Sequence, residues 1–408
     1  MAVEVVGEEQ PVTMIAREPL DERLELILGE STESVCHRER TTFDNAMRGG
    51  RELVIFGAGN FGQKALRVLQ ANGYRVLAFI DNNPTLQGRE IGGVRVMGLM
   101  EAWKKFGDSA GIVVAIYFGE ARDTMAERIT PVQAAGFSRI AHFGHLAWKF
   151  PEGILPHYSL DLPSKLPAQR ERIRKAFSLF TQKDSRRWFV DHVQWRFTLD
   201  FNLLPKPVGH TIYFHEGYFN PSRQEFLIDG GAFTGDTLKS FCEGFGKEGF
   251  YKVICCEPDP VNYDTLRAVA ESLQSAHGII ETQDCALGDS AGKIRVESSG
   301  GPSSRVGYGE TVVTCRMIDE FAELKHCPTF IKLDIEGYEL AALRGARQTI
   351  RKQKPILALS AYHKQNDLWE LPLEIYAMQP EYEFRLAPHV ADGWDLVLYA
   401  ATPKRYLC

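Results

Sequence analysis

From Glu52 onward the chain alternates short apolar runs with amphipathic stretches. The segment "ELVIFGAGNFGQKALRVLQANGYRVLAFIDNNP" reads as strand, glycine turn, helix and strand, with Asn72 and Gly73 ending the helix. "GIVVAIYFGE" and "RIAHFGHL" supply further strands, so a parallel-sheet domain is expected over residues 51–150. Before it, residues 1–50 are polar and lack strand signals. One helix-like stretch, "LDERLELILGE", and another opening at Ser31 or Thr32 predict an N-terminal arm, partly helical and partly disordered. Residues 151–222 carry Phe, Trp and Leu at mixed three- and four-residue spacing among many Arg and Lys, which predicts a helical connector.

After Arg223 the alternation resumes, with strands expected at 226–229, 251–257, 279–284, 329–335 and 355–361. The tail "EYEFRLAPHVADGWDLVLYA" breaks it, because two strands are joined there by a turn with no helix between them. The fold class is therefore α/β: two doubly wound Rossmann-like domains, the second spanning 223–408 and ending in an antiparallel hairpin. Ligands of such sheets bind beyond the carboxyl ends of the strands, so the chemistry is sought where strands stop.

Composition narrows the choices. The 408 residues carry a formal net charge of -6, and the 47 Lys and Arg are scattered rather than blocked, so no nucleic-acid partner is expected. The opening residues are acidic where a signal peptide would be basic and then apolar, and no eighteen apolar residues run together, which predicts a cytoplasmic protein without a membrane partner. Eight cysteines without C-x-x-C spacing read as reduced thiols rather than disulfides or zinc ligands. Trp188 and Trp195, beside Arg186, Arg187 and Arg196, resemble a nucleic-acid stacking face but fit a core at helical spacing better.

The two glycine turns differ electrostatically. "VIFGAGNFG" has Gly57, Gly59 and Gly62 with no acid ahead of them, which suits an anion at a helix N-terminus. "LIDGGAFTG" sets Asp229 directly before Gly230 and Gly231, where a carboxylate would repel phosphate and attract a cation. S-adenosylmethionine, with a sulfonium, an ammonium and no phosphate, matches that turn better than NAD. Glu257, 28 residues after Asp229 at the end of "YKVICCEPDP", is placed to accept hydrogen bonds from both ribose hydroxyls of an adenosine, though NAD would use the same acid. Asp284 in "ETQDCALGD" is placed to meet an adenine amino group.

Taken in order, "DGGAFTGDT", "EPDP", "CALGD", "FIKLDIEGYELAALRGA" and "LSAYHKQNDLWELPL" resemble the FkbM-type S-adenosylmethionine-dependent methyltransferases over about residues 215–400. The resemblance implies a class I methyltransferase sheet, S-adenosylmethionine as cofactor, and O-methylation of a hydroxyl on a sugar or natural-product-like small molecule. It places the cofactor on the D-x-G-x-x-x-G turn, at Asp229, Gly230, Gly231, Thr234, Gly235 and Asp236, and on Glu257 and Asp284.

For a hydroxyl acceptor something must align the oxygen and take its proton. Asp334 ends the fourth strand in "FIKLDIEGYEL", with Glu336 and Glu339 beyond it, and is the first candidate for orienting or deprotonating the acceptor. His363 in "SAYHK", at the end of the fifth, is an alternative base or shares the task. Glu339 fits an acid in the first turn of a helix better than a catalytic role, and Glu336 fits either. The clustered carboxylates could instead hold a divalent cation that would acidify the hydroxyl, but no second Asp or Asn pair at recognisable spacing supports one, so no metal is expected. Ser304 and Arg305, in the loop "ESSGGPSSRVGYGE", are candidates to touch substrate, and His215 with Tyr218 or Phe219 to cover the cofactor, although a solvated loop and a structural histidine are the plainer readings.

The first turn is followed by Asp81, 19 residues after Gly62, in the dinucleotide fingerprint spacing. This segment resembles the N-terminal nucleotide-sugar-binding domain found ahead of some bacterial sugar acyltransferases. The resemblance implies a second nucleotide site at Gly57, Gly59, Gly62 and Asp81, holding a nucleotide-linked sugar. A duplicated sheet acting only as scaffold or as the surface of a homo-oligomer fits equally. Two rival functions stand: an NAD-dependent oxidoreductase or epimerase using the first domain, which lacks a recognisable Tyr-x-x-x-Lys pair, and a non-catalytic nucleotide-binding adaptor.

Overall fold

The structure is a computed structural model, and it describes residues 19–117, 123–219, 222–273, 278–296, 310–323 and 325–407. Contacts divide the chain into two compact units: residues 1–170 with 186–205, and residues 171–185 with 206–408.

The first unit opens with helices α1 (Leu20–Gly29) and α2 (Thr32–Met47), the second capped by the Ser31 hydroxyl. Then follow β1 (Glu52–Phe56), α3 (Asn60–Ala71), β2 (Arg75–Ile80), β3 (Glu90–Ile91), β4 (Val94–Met97), α4 (Leu99–Phe106), β5 (Gly111–Val114), α5 (Met125–Ala135), β6 (Ile140–His142) and α6 (Phe143–Lys149). The sheet order is β3-β4-β2-β1-β5-β6, parallel except for the β3–β4 pair. Leu53, Val54 and Ile55 are wholly buried, as expected of a parallel strand covered on both faces.

Two expectations change here. The helices of residues 20–47 bury Leu24, Ile27, Leu28, Val35, Phe43 and Met47 within this unit, so that stretch belongs to its core rather than to an arm; residues 1–18 lie outside the described residues. "FGHL" is helical, because β6 stops at His142. Trp195 and Arg196 are buried as a core reading requires, and Arg23 reaches Asp191 at 2.6 Å.

The glycine turn of this unit is held by backbone contact. A Cβ on Gly62, in the first turn of α3, would sit 1.9 Å from the carbonyl oxygen of Gly57, whereas one on Gly59 would meet nothing within 4 Å. Gly62→Ala is therefore expected to destabilise the unit by about 1–3 kcal/mol through overpacking. Gly59→Ala should leave its calorimetric unfolding transition unchanged, and equal effects of the two would contradict this account.

Helices α7 (Arg170–Phe177) and α8 (Lys183–Thr198), expected as a separate connector, are instead divided between the two units. The second unit continues with β7 (Phe226–Gly230), α9 (Asp236–Glu243), β8 (Lys252–Cys256), α10 (Pro260–Leu273), β9 (Ile279–Gln283), β10 (Cys285–Leu287), β11 (Gly292–Val296) and β12 (Thr311–Arg316). After these come β13 (Phe330–Leu333), α11 (Glu339–Gly345), α12 (Arg347–Gln353), β14 (Ile356–Ser360), α13 (Asp367–Met378), β15 (Glu383–Pro388) and β16 (Leu396–Ala401). Seven strands form one sheet in the order β15-β16-β14-β13-β7-β8-β9, parallel through β14 and closed by the antiparallel β15–β16 hairpin. The direction of strand order reverses between β7 and β13, which makes the ends of these two neighbours the natural ligand crevice. A separate three-stranded sheet, β10-β12-β11, was not apparent from the sequence. Strands β11 and β12 are half-exposed, and β10 is buried but only three residues long, so none announces itself in the sequence.

Among the described residues no helix is long and apolar enough to cross a membrane. The described cysteines, including buried Cys242, Cys255, Cys256, Cys285 and Cys315, are all free thiols.

Candidate active site

The glycine turn after β7 is built inward. Its N–H groups at Gly231 and Ala232 both donate to the carbonyl of Cys256, at 3.0 and 3.1 Å, and that of Phe233 donates to Oε2 of Glu257 at 3.0 Å. A phosphate cradle needs such groups free, so this turn is no phosphate loop. Gly231 has φ +72°, and a Cβ there would stand 1.8 Å from the backbone oxygen of Asp334. The turns after β7 and β13 thus touch directly, and only glycine fits at that contact. Gly230 is buried, Thr234 half-buried, Gly235 caps α9, and Asp236 is the exposed first residue of that helix.

Asp229 corrects the electrostatic expectation. It is fully buried below the turn, in register with Lys332 on β13, whose Nζ lies 3.0 Å from Asp229 Oδ1. Lys332 also donates to the carbonyls of Gly230 and Gly231, at 3.1 and 2.7 Å. Burial lifts the Asp229 carboxyl above its usual range even beside the ammonium; burial also works against the Lys332 ammonium, but Asp229, Asp334 and Asp236 together hold it above its own range. The charge at this position is met inside the protein rather than offered at the mouth of the turn. The signal for Lys332 was a single cation inside the apolar strand "FIKL".

Glu257, just past the end of β8, is 5% exposed, and its two oxygens accept the N–H groups of Asp259 and Phe233 at 2.9 and 3.0 Å. Burial pushes its carboxyl up to about 7 despite those bonds. Asp284 sits exposed just past β9.

Beyond β13, Asp334 is the partly open acid of the site, its side chain 29% exposed. Tyr213 donates to its Oδ2 at 2.8 Å, and His363 Nε2 lies 3.2 Å from Oδ1. Burial would raise Asp334, but His363, Lys332 and hydroxyl bonds from Tyr213 and Ser360 hold it below the usual carboxylate range. His363 is almost wholly buried. Its Nδ1 lies 2.7 Å from Glu339 Oε1, and its Nε2 faces Asp334 and, at 4.0 Å, Glu336 Oε1. Burial would lower the imidazole, but Glu339 first and then Glu336 and Asp334 raise it to about 10. With no cation beside it, a ring so held is an imidazolium at neutral pH, and in that state His363 orients and balances charge rather than acting as the base.

Glu339 is more than a helix-terminus acid: fully buried, it also accepts the Ile335 N–H at 2.9 Å and thereby ties the turn to the histidine. Glu336 is held at φ +55°, and its side chain is 17% exposed. Around these groups the acids crowd. Burial and Glu339 push Asp367 up to about 7, and burial and Asp334 push Asp395, which is bonded by Tyr362, up to about 6. Tyr213, Tyr362, Asp367 and Asp395 carried no sequence signal, since they come from a loop before the first strand, a strand end, a helix start and the final hairpin turn. His215 is structural: it stacks on Tyr218 with ring centroids 3.7 Å apart, and its Nδ1 accepts the Gly217 N–H. Ser304 and Arg305 lie outside the described residues.

In the first unit Asp81, just past β2, accepts the N–H of Ala58 at 2.9 Å and that of Asn83 at 2.8 Å, so it braces the glycine turn.

Comparison with known proteins agrees with both halves of this description. Residues 229–386 match the methyltransferase FkbM domain, and residues 52–129 match the PglD N-terminal domain. Among solved structures, a methyltransferase FkbM from Methylobacillus flagellatus KT superposes with a TM-score of 0.74 over 93% of this chain and 99% of its own, at 22% identity. RSP, a Rex-family repressor, aligns over 25% of this chain and 48% of its own at 25% identity, with a TM-score of 0.19 that bears on nothing here. No curated protein matches. The C-terminal unit thus carries a methyltransferase FkbM domain, with a PglD N-terminal domain ahead of it in the chain.

Proposed function

We propose that the protein is an S-adenosylmethionine-dependent O-methyltransferase acting on a hydroxyl of a sugar or natural-product-like small molecule. The observation that carries this reading is the direct contact of the two strand-end turns, Gly231 against the Asp334 carbonyl, which puts a half-open carboxylate beside the cofactor turn. The residues fit the cofactor. Glu257 offers each oxygen a lone pair beyond its backbone bond, for ribose hydroxyls, and the inward-turned N–H groups of 231–233 match a ligand without phosphate. When bound, the cofactor supplies an electrophilic methyl group. The protein's own part is to align the acceptor oxygen, exclude water and receive the hydroxyl proton at Asp334, which Tyr213 and His363 keep ionised and oriented. In the first unit, the open space before Gly59 leaves the N-terminus of α3 accessible to the phosphates of a nucleotide-linked sugar, the carrier we assign to that domain.

Calorimetric titration of S-adenosylhomocysteine tests the cofactor half. Because Glu257 titrates near 7 and ribose hydroxyls need its ionised form, affinity should rise about tenfold from pH 6 to pH 8. The same raised pKa works the other way on stability, since the folded chain holds a proton that the unfolded chain releases. The contribution of Glu257 to stability therefore falls as pH rises from the ordinary carboxylate range to about 7. Binding that ignores pH, or is unchanged in Glu257→Gln, would remove the carboxylate from the cofactor site, and NAD binding without S-adenosylhomocysteine binding would overturn the reading altogether.

A further inference from the structure

We propose that Asp334, Glu336 and Nε2 of His363 bind one divalent cation at the strand-end acceptor site, with Glu339 holding the ring in place. Sequence spacing gave no sign of this ion, because its ligands come from the ends of two different strands.

Donor atoms of Asp334, Glu339 and His363 lie within 4.8 Å of one another. Their roles differ. The 2.7 Å separation of His363 Nδ1 and Glu339 Oε1 is a hydrogen bond, and the same oxygen takes the Ile335 N–H. Glu339 therefore keeps a hydrogen on Nδ1 and turns Nε2 toward the other two acids, so that an ion bound there takes the place of the Nε2 proton, the carboxylate–histidine arrangement that orients metal-binding imidazoles. Nε2 stands 3.2 Å from Asp334 Oδ1 and 4.0 Å from Glu336 Oε1. Two ligand atoms bonded to one octahedral ion at ~2.1 Å are ~3.0 Å apart when adjacent and ~4.2 Å when opposite, so both separations bracket a single ion. Tyr213 occupies Oδ2 of Asp334 and leaves Oδ1 on the side of the ring.

A second observation concerns Glu339 itself. It is 0% exposed, and its Oε2 makes no hydrogen bond among the described residues. A buried carboxylate left half-satisfied is costly without a cation close by. The charged ring beside Glu339 offsets that cost while Nε2 keeps its proton, and an ion on Nε2 would keep a positive charge there once that proton leaves.

One imidazole with two carboxylates suits Mn²⁺ better than Mg²⁺, which prefers all-oxygen sites; Ni²⁺ and Cu²⁺ would bind the same donors more tightly, so Mn²⁺ is chosen as the hard, octahedral ion that also leaves positions for oxygen ligands. Three protein ligands on an octahedral ion leave positions for a hydroxyl and its vicinal neighbour, so the fitting acceptor is a vicinal diol such as a pyranoside presents. Bound there, the hydroxyl would be acidified. This last step rests on the proposed O-methyltransferase function, whereas binding of the ion does not.

The test is electron paramagnetic resonance of Mn²⁺ titrated into the full chain, with calorimetry of S-adenosylhomocysteine run in parallel. The expected result is loss of the six-line aquo signal up to about one equivalent, with pulsed spectra showing ¹⁴N coupling from a coordinated imidazole. His363→Gln should lose that coupling and bind Mn²⁺ at least about tenfold more weakly while still binding S-adenosylhomocysteine, which reports that its fold is intact. An undiminished aquo signal overturns the proposal whether or not S-adenosylhomocysteine binds, and so does Mn²⁺ bound without nitrogen coupling. Nitrogen-coupled Mn²⁺ in a protein that fails to bind S-adenosylhomocysteine would keep the cation site and remove the S-adenosyl reading.

Discussion

Asp334→Asn should lower methyl transfer by about 10²–10⁴-fold, the range by which a positioned general base contributes, with S-adenosylhomocysteine affinity retained. Asparagine keeps the shape and still accepts from Tyr213, so the turn that touches Gly231 is preserved. It lacks the negative charge that faces His363 and would receive the proton of the acceptor. The measurement is release of S-adenosylhomocysteine with a panel of free and nucleotide-linked sugars, comparing the variant with the wild type on whichever acceptor the latter turns over. Retained turnover would move the proton acceptor elsewhere, with Asp395 the next acid toward the final hairpin. Loss of cofactor affinity together with turnover would instead mean that Asp334 supports the glycine turn and has no separate part in the chemistry.

Most of the parallel strands could be read closely from the chain because they are buried on both faces, the partly exposed edge strand β9 excepted, and so appear as mainly apolar runs. The expected 226–229, 279–284 and 355–361 became Phe226–Gly230, Ile279–Gln283 and Ile356–Ser360. The final hairpin was legible for the opposite reason, since its two strands lack the intervening helix that every parallel connection needs. Reading strand ends also put Glu257, Asp334 and His363 just past β8, β13 and β14, where a doubly wound sheet gathers them on one edge. What could not be read was how charges pair across that edge. Asp229 and Lys332 are 103 positions apart in the chain and meet only through the register of β7 with β13. Glu339 looked like any acid at a helix start, and its grip on His363 depends on β13 and β14 being neighbours. Tyr213 reaches Asp334 from a loop with no regular pattern at all.

The Asp229–Lys332 pair is where the largest loss of stability is expected. Lys332→Met would leave a carboxylate wholly buried at the centre of the sheet without its cation, a change that typically costs about 3–5 kcal/mol. Three further contacts would go with the ammonium: its bonds to the carbonyls of Gly230 and Gly231, and its position 5.1 Å from the centre of the Tyr213 ring. The sign of the pH dependence identifies the cause. Without Lys332 the folded chain must hold Asp229 protonated, at a pKa far above that of the unfolded chain, so the variant should regain stability as pH falls, whereas a loss caused by packing alone would not respond. Asp229→Asn combined with Lys332→Met removes both charges and should lose clearly less than Lys332→Met alone, as read in the calorimetric transition of the C-terminal unit. If the two changes simply add, the pair is not coupled, and the turn would be held by its glycine contact with Asp334 instead. The same logic makes Asp229→Ala a poor probe of cofactor binding, because it strands Lys332 beneath the turn and would weaken binding through the fold even if the carboxylate never meets the ligand.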